Sequence, residues 1–147
     1  QSLNRGVGSA KFDVDSLDEQ DKYDPDSIFI AYGINDIYQL KDMADLENVL
    51  KTADKYLYKL KNIYKHAKVY IITPIWCLRY DEDQSFKEMF DEYQKELTTL
   101  AKKYGFIPVN GLALMPHDTK YHQDHTVHPA DSGFNHIAEN LLKIIGR

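Results

Sequence analysis

The sequence lacks several features that would place it in particular classes of protein. Cys77 is the only cysteine, which excludes an internal disulfide and leaves the cellular compartment open. No apolar run approaches the roughly 18 residues that a membrane-spanning helix needs. The net charge is -5, and the acidic and basic residues are interspersed, so no basic stripe is available for phosphates or anionic lipid. We therefore expect neither nucleic acid nor a membrane as a partner.

The length of the chain and its hydrophobic content of 43% predict one globular domain over residues 1–147. Apolar residues recur at helical spacing over 46–64 and 86–104, and again from about residue 131, which predicts three amphipathic helices. Gly105 stands where the second of these helices would end. In the third helix we expect six buried residues: Phe134, Ile137, Ala138, Leu141, Leu142 and Ile145.

Short apolar runs lie between the predicted helices, at residues 27–32, 68–73 and 106–109. They are continuous rather than alternating, which is typical of strands that are buried on both faces in a parallel sheet. The order of strands and helices predicts an α/β protein with three layers. The acidic segment 13–26 is interpreted as a short helix and a surface loop.

The first predicted strand runs into the stretch AYGIND, residues 31–36. In parallel sheets, ligands bind at the carboxyl ends of the strands, where the connecting loops meet. Gly33 can form the turn out of the strand, Asn35 can direct an amide donor into the cleft, and Asp36 can brace the loop. The alternative interpretation is a turn without a functional role.

Two other polar segments fall at predicted loops. DHTVHPADSGF, residues 124–134, opens the last helix, and its His128 precedes a proline in a loop where a neutral imidazole can act as a general base. LNRGVGSA, residues 3–10, is a glycine-rich loop whose backbone N–H groups can face a ligand. We expect the three segments to meet at one site.

Taken together, these segments resemble the SGNH hydrolases, or GDSL-type esterases. LNRGVGSA is similar to the family's Asn-x-Gly-x-x-Gly block, residues 33–36 to its Gly-x-Asn-Asp block, and the segment around His128 to its Asp-x-x-His-Pro block. The resemblance implies a three-layer α/β/α sandwich with a flavodoxin-like parallel sheet. It also implies a serine ester hydrolase that acts on a small ester, such as an acetylated carbohydrate or a lipid-like ester, without a cofactor.

The resemblance assigns roles to individual residues. His128 takes the proton of a nucleophilic serine, while Asn35 and the backbone N–H of Ser9 form the oxyanion hole. Gly8, Gly33 and Asp36 support the loops of the site.

The orienting acid departs from the family pattern. Family members have it three residues before the histidine, a position that His125 occupies here. We predict that a one-residue bulge brings Asp124 to His128. The alternative role of Asp124 is to cap a turn.

The family's first block, which carries the nucleophilic serine, has no counterpart in this sequence. Asp15-Ser16-Leu17 comes after the second block and follows no apolar strand, so we do not predict Ser16 as the nucleophile. Ser9 occupies the place of the family's oxyanion glycine. We therefore predict a domain whose first strand and helix are absent from this chain. A companion N-terminal segment, or a strand from another copy, would complete the sheet and supply the serine.

Two other functions remain open. One is a noncatalytic SGNH-like domain that binds a ligand or a protein in the same cleft. The other is a zinc site, since six candidate ligands crowd twelve residues, although Pro129 favours a loop over the helix that would align them. These candidates are His117, Asp118, His122, Asp124, His125 and His128.

Overall fold

The computed structural model describes residues 24–146. Its three strands are β1 (Ser27–Ala31), β2 (Lys68–Ile72) and β3 (Ile107–Val109). The helices of this part of the chain are α1 (Ile34–Gln39), α2 (Met43–Ile63), α3 (Leu78–Glu82), α4 (Gln84–Lys103) and α5 (Asp131–Ile145). Short 3-10 turns cover 111–113 and 119–121. The three strands and the three long helices that the sequence predicts are confirmed, whereas α1 and α3 were not predicted.

The strands form a parallel sheet in the order β1-β2-β3. Ile30 lies opposite Ile71, and Ile72 lies opposite Val109. This register places the carboxyl ends of the strands at one edge of the sheet, where the loops that follow them come together.

Helices α2 and α4 cover one face of the sheet with their apolar sides. Phe86, Phe90 and Tyr93 of α4 are completely buried against residues of α2 and of the strands. Asp42 caps the N-terminus of α2 by accepting hydrogen bonds from the backbone of the first turn. Gly105 follows α4 with φ of 73°, the left-handed conformation expected where the helix ends.

Helix α5 covers the opposite face, but only in part. Its Ile137 and Leu141 pack against the buried Ile72 and Val109 of the sheet. The prediction that six apolar residues of α5 are buried is wrong, because the described residues provide no second helix on this face. Ile137 and Leu141 are half-buried, and the other four residues, Ala138 among them, are exposed. The exposed fractions are 57% for Phe134, 67% for Leu142 and 40% for Ile145.

Strand β1 is an edge strand in the described part of the chain, where it pairs with β2 alone. The expectation of burial on both faces is correct for β2 but wrong for β1, of which only Ile30 is fully buried. It is also wrong for Ile107 of β3, which is exposed. Phe29 stacks on Tyr70, with ring centroids 4.7 Å apart, yet 43% of its surface is exposed.

Between residues 24 and 146, no helix is long and apolar enough to cross a membrane. The predicted residues Gly8, Ser9 and Ser16 lie outside the described residues, as does most of the acidic segment 13–26.

Candidate active site

The stretch after β1 turns directly into a helix. Gly33 has φ of 113°, a left-handed conformation that glycine adopts without strain, and it precedes the first residue of α1. The ring of Tyr93 fills the space in which a Cβ on Gly33 would lie. Asn35 is half-buried in the first turn of α1, and Asp36 beside it is buried. The sequence predicted a loop here, but the residues that follow the turn continue as a short helix.

Asp36 and Tyr93 form a buried polar pair beneath this turn. Burial raises the pKa of Asp36 to about 6, although the hydrogen bond from its own backbone N–H opposes the rise. The Tyr93 hydroxyl is completely buried and has no hydrogen-bond partner among the described residues. Burial, and then the nearby Asp36 charge, raise the pKa of Tyr93, so its hydroxyl stays neutral. The supporting role of Asp36 stays a prediction.

The loop before α5 brings Asp124 and His128 together. One carboxylate oxygen of Asp124 contacts Nδ1 of His128. The other oxygen accepts hydrogen bonds from the backbone N–H groups of Thr126 (3.0 Å), Val127 (2.9 Å) and His128 (3.1 Å). His125 has φ of 58° and takes up the extra residue between acid and histidine as a left-handed bulge. Asp124 therefore both caps the turn and contacts the imidazole.

The charge of Asp124 is well stabilised. Burial would raise its pKa, but the hydrogen bond from His128 and those from the backbone of Val127 and Thr126 outweigh it and hold the pKa far below its usual range. Because an ionised carboxylate only accepts, Nδ1 of His128 carries the proton. Nε2 is then left as the acceptor of a proton from another group. The imidazole is accessible, with 64% of its side chain exposed.

Chain neighbours of both motifs line one cavity. Its volume is about 270 Å³, and it lies at the carboxyl ends of β1 and β2. Ile34 precedes Asn35 and lines the cavity on one side, while Pro129 follows His128 and lines it on the other. The rest of the lining is mainly apolar: Ala31, Tyr32, Ile72, Thr73, Pro74, Ile75, Leu114, Phe134, Ile137 and Leu141.

Tyr38 of α1 connects the two motifs from the other side. Burial raises the pKa of its hydroxyl to about 12, with further contributions from the neighbouring Cys77 thiol and from the Asp124 charge. Burial also raises the pKa of the Cys77 thiol, so this cysteine is a neutral core residue rather than a nucleophile. The structure therefore brings together Asp124, His128 and the helix that carries Asn35, while their catalytic roles stay predictions.

The crowded histidines are not arranged as a zinc site. Over residues 24–146, no group of three histidine, cysteine or acidic side chains is placed to hold a metal ion. His122 is buried and hydrogen-bonded to the Trp76 carbonyl, while Nε2 of His117 is bonded to the Leu112 carbonyl. One ring nitrogen of each of these two histidines thus points to a different backbone carbonyl rather than to a common centre.

Sequence reasoning missed His122 and Tyr93 as parts of the site. His122 was considered only as a metal ligand, and Tyr93 only as one apolar position of a helix. Tyr93 lies 60 residues from the Gly33 turn that it supports, so no local pattern signals the contact.

Comparison with known families agrees with this geometry. The model of the GDSL-like lipase/acylhydrolase family matches residues 1–135. The chain belongs to this family. Family membership supports an esterase-type hydrolase, and the match includes the glycine-rich segment at residues 3–10. The absence of the nucleophile block from the protein stays a prediction. No curated protein is similar enough to count as a match.

Solved structures of esterases share the fold. An acetylxylan esterase from Geobacillus stearothermophilus is 20% identical, with a TM-score of 0.64 over 91% of this chain and 68% of that one. A variant described as an acetyl-xylooligosaccharide esterase covers the same shares, with a TM-score of 0.69. A protein described as a GDSL-like lipase from Bacteroides ovatus is 14% identical, with a TM-score of 0.64 over 92% of this chain and 39% of that one. These likenesses confirm the SGNH-type α/β fold of this family member.

Proposed function

We propose that this GDSL-family chain provides the base, the orienting acid and part of the oxyanion hole of a serine ester hydrolase. The observation that carries the proposal is the contact between Asp124 and His128. An apolar cavity lies near this pair, lined by Pro129, which follows His128, and by Ile34, which precedes Asn35. A carboxylate, an imidazole and, in this proposal, the amide of Asn35 are three of the four groups that acyl transfer by a serine requires. The fourth group, the serine, lies outside residues 24–146 in this proposal.

The reaction follows from the protonation state of the pair. Nε2 of His128 takes the proton of the serine hydroxyl as the serine oxygen attacks the ester carbonyl. Asn35 and the backbone N–H of Ser9 donate to the oxyanion that forms, and the loss of one such donor typically costs roughly 3 to 4 kcal/mol of transition-state stabilisation. His128 then gives its proton to the leaving alcohol, and a water molecule activated by the same imidazole releases the acid. Asp124 holds the imidazole in the required tautomer throughout.

The proposed substrate is a small ester, with acetylated carbohydrate as the first class to test. Support comes from the names of the structurally similar proteins, which are an acetylxylan esterase and an acetyl-xylooligosaccharide esterase. The cavity is apolar and about 270 Å³ in volume, so longer acyl chains belong in the same panel of substrates.

The serine would come from a companion N-terminal segment that adds a strand to β1, or from a strand of another copy. The unpaired edge of β1 in the described chain supports this proposal, as do the exposed Phe29 and Phe134 on the same side of the sheet. A parallel strand at that edge would end beside the cavity, because all carboxyl ends of such a sheet lie together. The structural match also covers only 68% of the acetylxylan esterase chain, so that esterase has further elements that the match does not include.

The test compares esterase activity of the 17.1 kDa chain with that of the full-length product of its gene. We expect hydrolysis of p-nitrophenyl acetate and acetylated xylo-oligosaccharides only when the upstream segment is present. His128→Ala should then lower kcat about 10³-fold or more. His125→Asn is the matched control, because this imidazole belongs to the same exposed loop and asparagine tolerates the left-handed conformation of the bulge; kcat should stay within a few-fold. Full activity of the 17.1 kDa monomer alone would contradict the proposed source of the serine.

A noncatalytic binding domain is the second candidate. It is favoured by one observation, namely that none of the described residues lining the cavity is a serine. Absence of activity from both the chain and the full-length product, together with saturable binding of an acetylated oligosaccharide, would support this candidate.

A further inference from the structure

His122 is a buried histidine that the proposed reaction does not use. Only 1% of its surface is exposed, and its Nε2 lies 3.2 Å from the Trp76 carbonyl oxygen. A carbonyl oxygen only accepts, so Nε2 carries the proton. Nδ1 is buried without a hydrogen-bond partner among the described residues, so the bond to Trp76 is the one contact of this kind that orients the ring there.

This ring lies at the base of the loop that carries Asp124 and His128. His122 pairs with Pro129 as an isolated antiparallel bridge, so the two ends of the loop are held side by side. Two backbone hydrogen bonds close the loop: the N–H of Gln123 donates to the His128 carbonyl and the N–H of Ala130 to that of Tyr121, both at 2.8 Å.

The segment after β2 is the support to which the loop is fastened. The His122 ring bonds to the carbonyl of Trp76, and the N–H of Leu78 donates to the carbonyl of Thr126 at 2.9 Å. The same segment reaches α1, because the Arg79 guanidinium donates to the carbonyl of Tyr38 at 3.2 Å. The loop of His128 and the helix of Asn35 therefore share one rigid support.

We infer that His122 is a positioning residue, which sets the place of the Asp124–His128 pair relative to Asn35 through its bond to Trp76. Its effect on turnover rests on the proposed esterase function, whereas its effect on the His128 environment does not. A displacement of about 1 Å between reacting groups can cost roughly 10²-fold in rate, so a loosened loop should lower kcat by about 10- to 100-fold.

The first test is proton NMR of the chain itself, which needs no nucleophile. We expect the Nδ1 proton of His128 to give a downfield signal while it is bonded to Asp124, and loss of that signal in His128→Ala would assign it. His122→Gln places an amide donor near the former Nε2 and should retain the signal. His122→Asn is equally polar but too short to reach Trp76, so its signal should broaden or disappear.

His117→Gln is the matched control. The His117 ring stacks on Trp76 at 5.5 Å but is exposed and bonds to Leu112, outside the loop, so the His128 signal should not change. Far-UV circular dichroism shows whether each variant is folded, since both histidines contact Trp76 and would change its fluorescence directly. An unchanged His128 signal in folded His122→Asn would overturn the inference, as would an equal loss of signal in His122→Gln and His122→Asn.

The second test uses the full-length gene product and separates kcat from KM. For His122→Asn we expect kcat to fall by about 10- to 100-fold while KM changes little, with His122→Gln restoring most of the rate. Equal kcat values in the two variants would count against positioning. If the full-length product hydrolyses no ester, the proposed function fails, but the NMR comparison still decides the role of His122.

Discussion

Asp36 should make the stability of the protein depend on pH in a direction opposite to that of most carboxylates. Burial raises its pKa from 3.8 to about 6, so the folded state holds its proton more tightly than the unfolded state. The stabilisation that Asp36 contributes is fully present at pH values below its pKa in the unfolded state. It is lost as the pH rises through its pKa in the folded state. A tenfold change in proton affinity is worth about 1.4 kcal/mol, so the shift corresponds to about 3 kcal/mol in total.

Asp36→Asn removes this dependence, because the amide is neutral at every pH. We expect the free energy of unfolding of the native chain, relative to that of Asp36→Asn, to fall by about 2 to 3 kcal/mol between pH 4 and pH 8. Most of the change should lie between pH 4 and pH 6. The measurement is urea unfolding monitored by circular dichroism at closely spaced pH values, since the difference between the two proteins cancels the other titrating groups.

Ile37→Val provides the control, because Ile37 is the completely buried apolar neighbour on the same helix. This substitution should lower the free energy of unfolding by about 1 kcal/mol at every pH. Burial does not raise the pKa of Asp36 if the difference in the free energy of unfolding between the native chain and Asp36→Asn is the same at pH 4 and pH 8. The same holds if that difference grows in favour of the native chain as the pH rises.

Three further predictions concern stability, each measured by urea unfolding. Tyr93→Phe removes a buried hydroxyl that has no hydrogen-bond partner in the described chain, so it should raise the free energy of unfolding by about 1 kcal/mol. A loss of stability would reveal a hydrogen bond to this hydroxyl. Gly33→Ala should lower the free energy of unfolding by at least about 1 to 2 kcal/mol, because the methyl group meets the Tyr93 ring and the residue has φ of 113°. An unchanged free energy of unfolding would show that the turn can relax. Asp42→Ala removes the side chain that accepts from Ala44 (2.9 Å) and Asp45 (3.0 Å) and should cost about 1 kcal/mol, whereas Asp42→Asn should retain most of the cap.

Much of the fold could be predicted because its long elements have strong periodic patterns. The apolar spacing of α2 and α4 and the continuous apolar runs of β2 and β3 depend on residues that lie close together in the sequence. Short helices carry too few residues for such a pattern. Helix α1 has six residues and begins at a glycine that is equally typical of a plain turn, so the sequence alone favoured a loop.

Exposure on the α5 side is harder to predict than helix formation. An apolar helical pattern specifies which residues share a face, but whether that face is covered depends on the elements packed beside it. Phe134 and Leu142 follow the expected spacing and are nevertheless exposed in the described chain. The contact between Asp124 and His128 could be predicted as a bulge, since one extra residue had to be accommodated. The loop that contains this bulge is held by the hydrogen bond from His122 to the Trp76 carbonyl. These two residues are 46 positions apart, so no local sequence pattern signals the bond.

The open edge of β1 has a consequence for handling the protein. Among residues 24–146 no strand pairs with this edge, and exposed phenylalanine rings lie nearby. An edge that stays unpaired is a template on which other chains can pair. We therefore expect the purified chain to self-associate at high concentration, with an apparent melting temperature that varies with concentration and rises when a ligand occupies the edge. Dilution series should accompany every stability measurement, since an assembly would otherwise be mistaken for an intrinsically robust monomer.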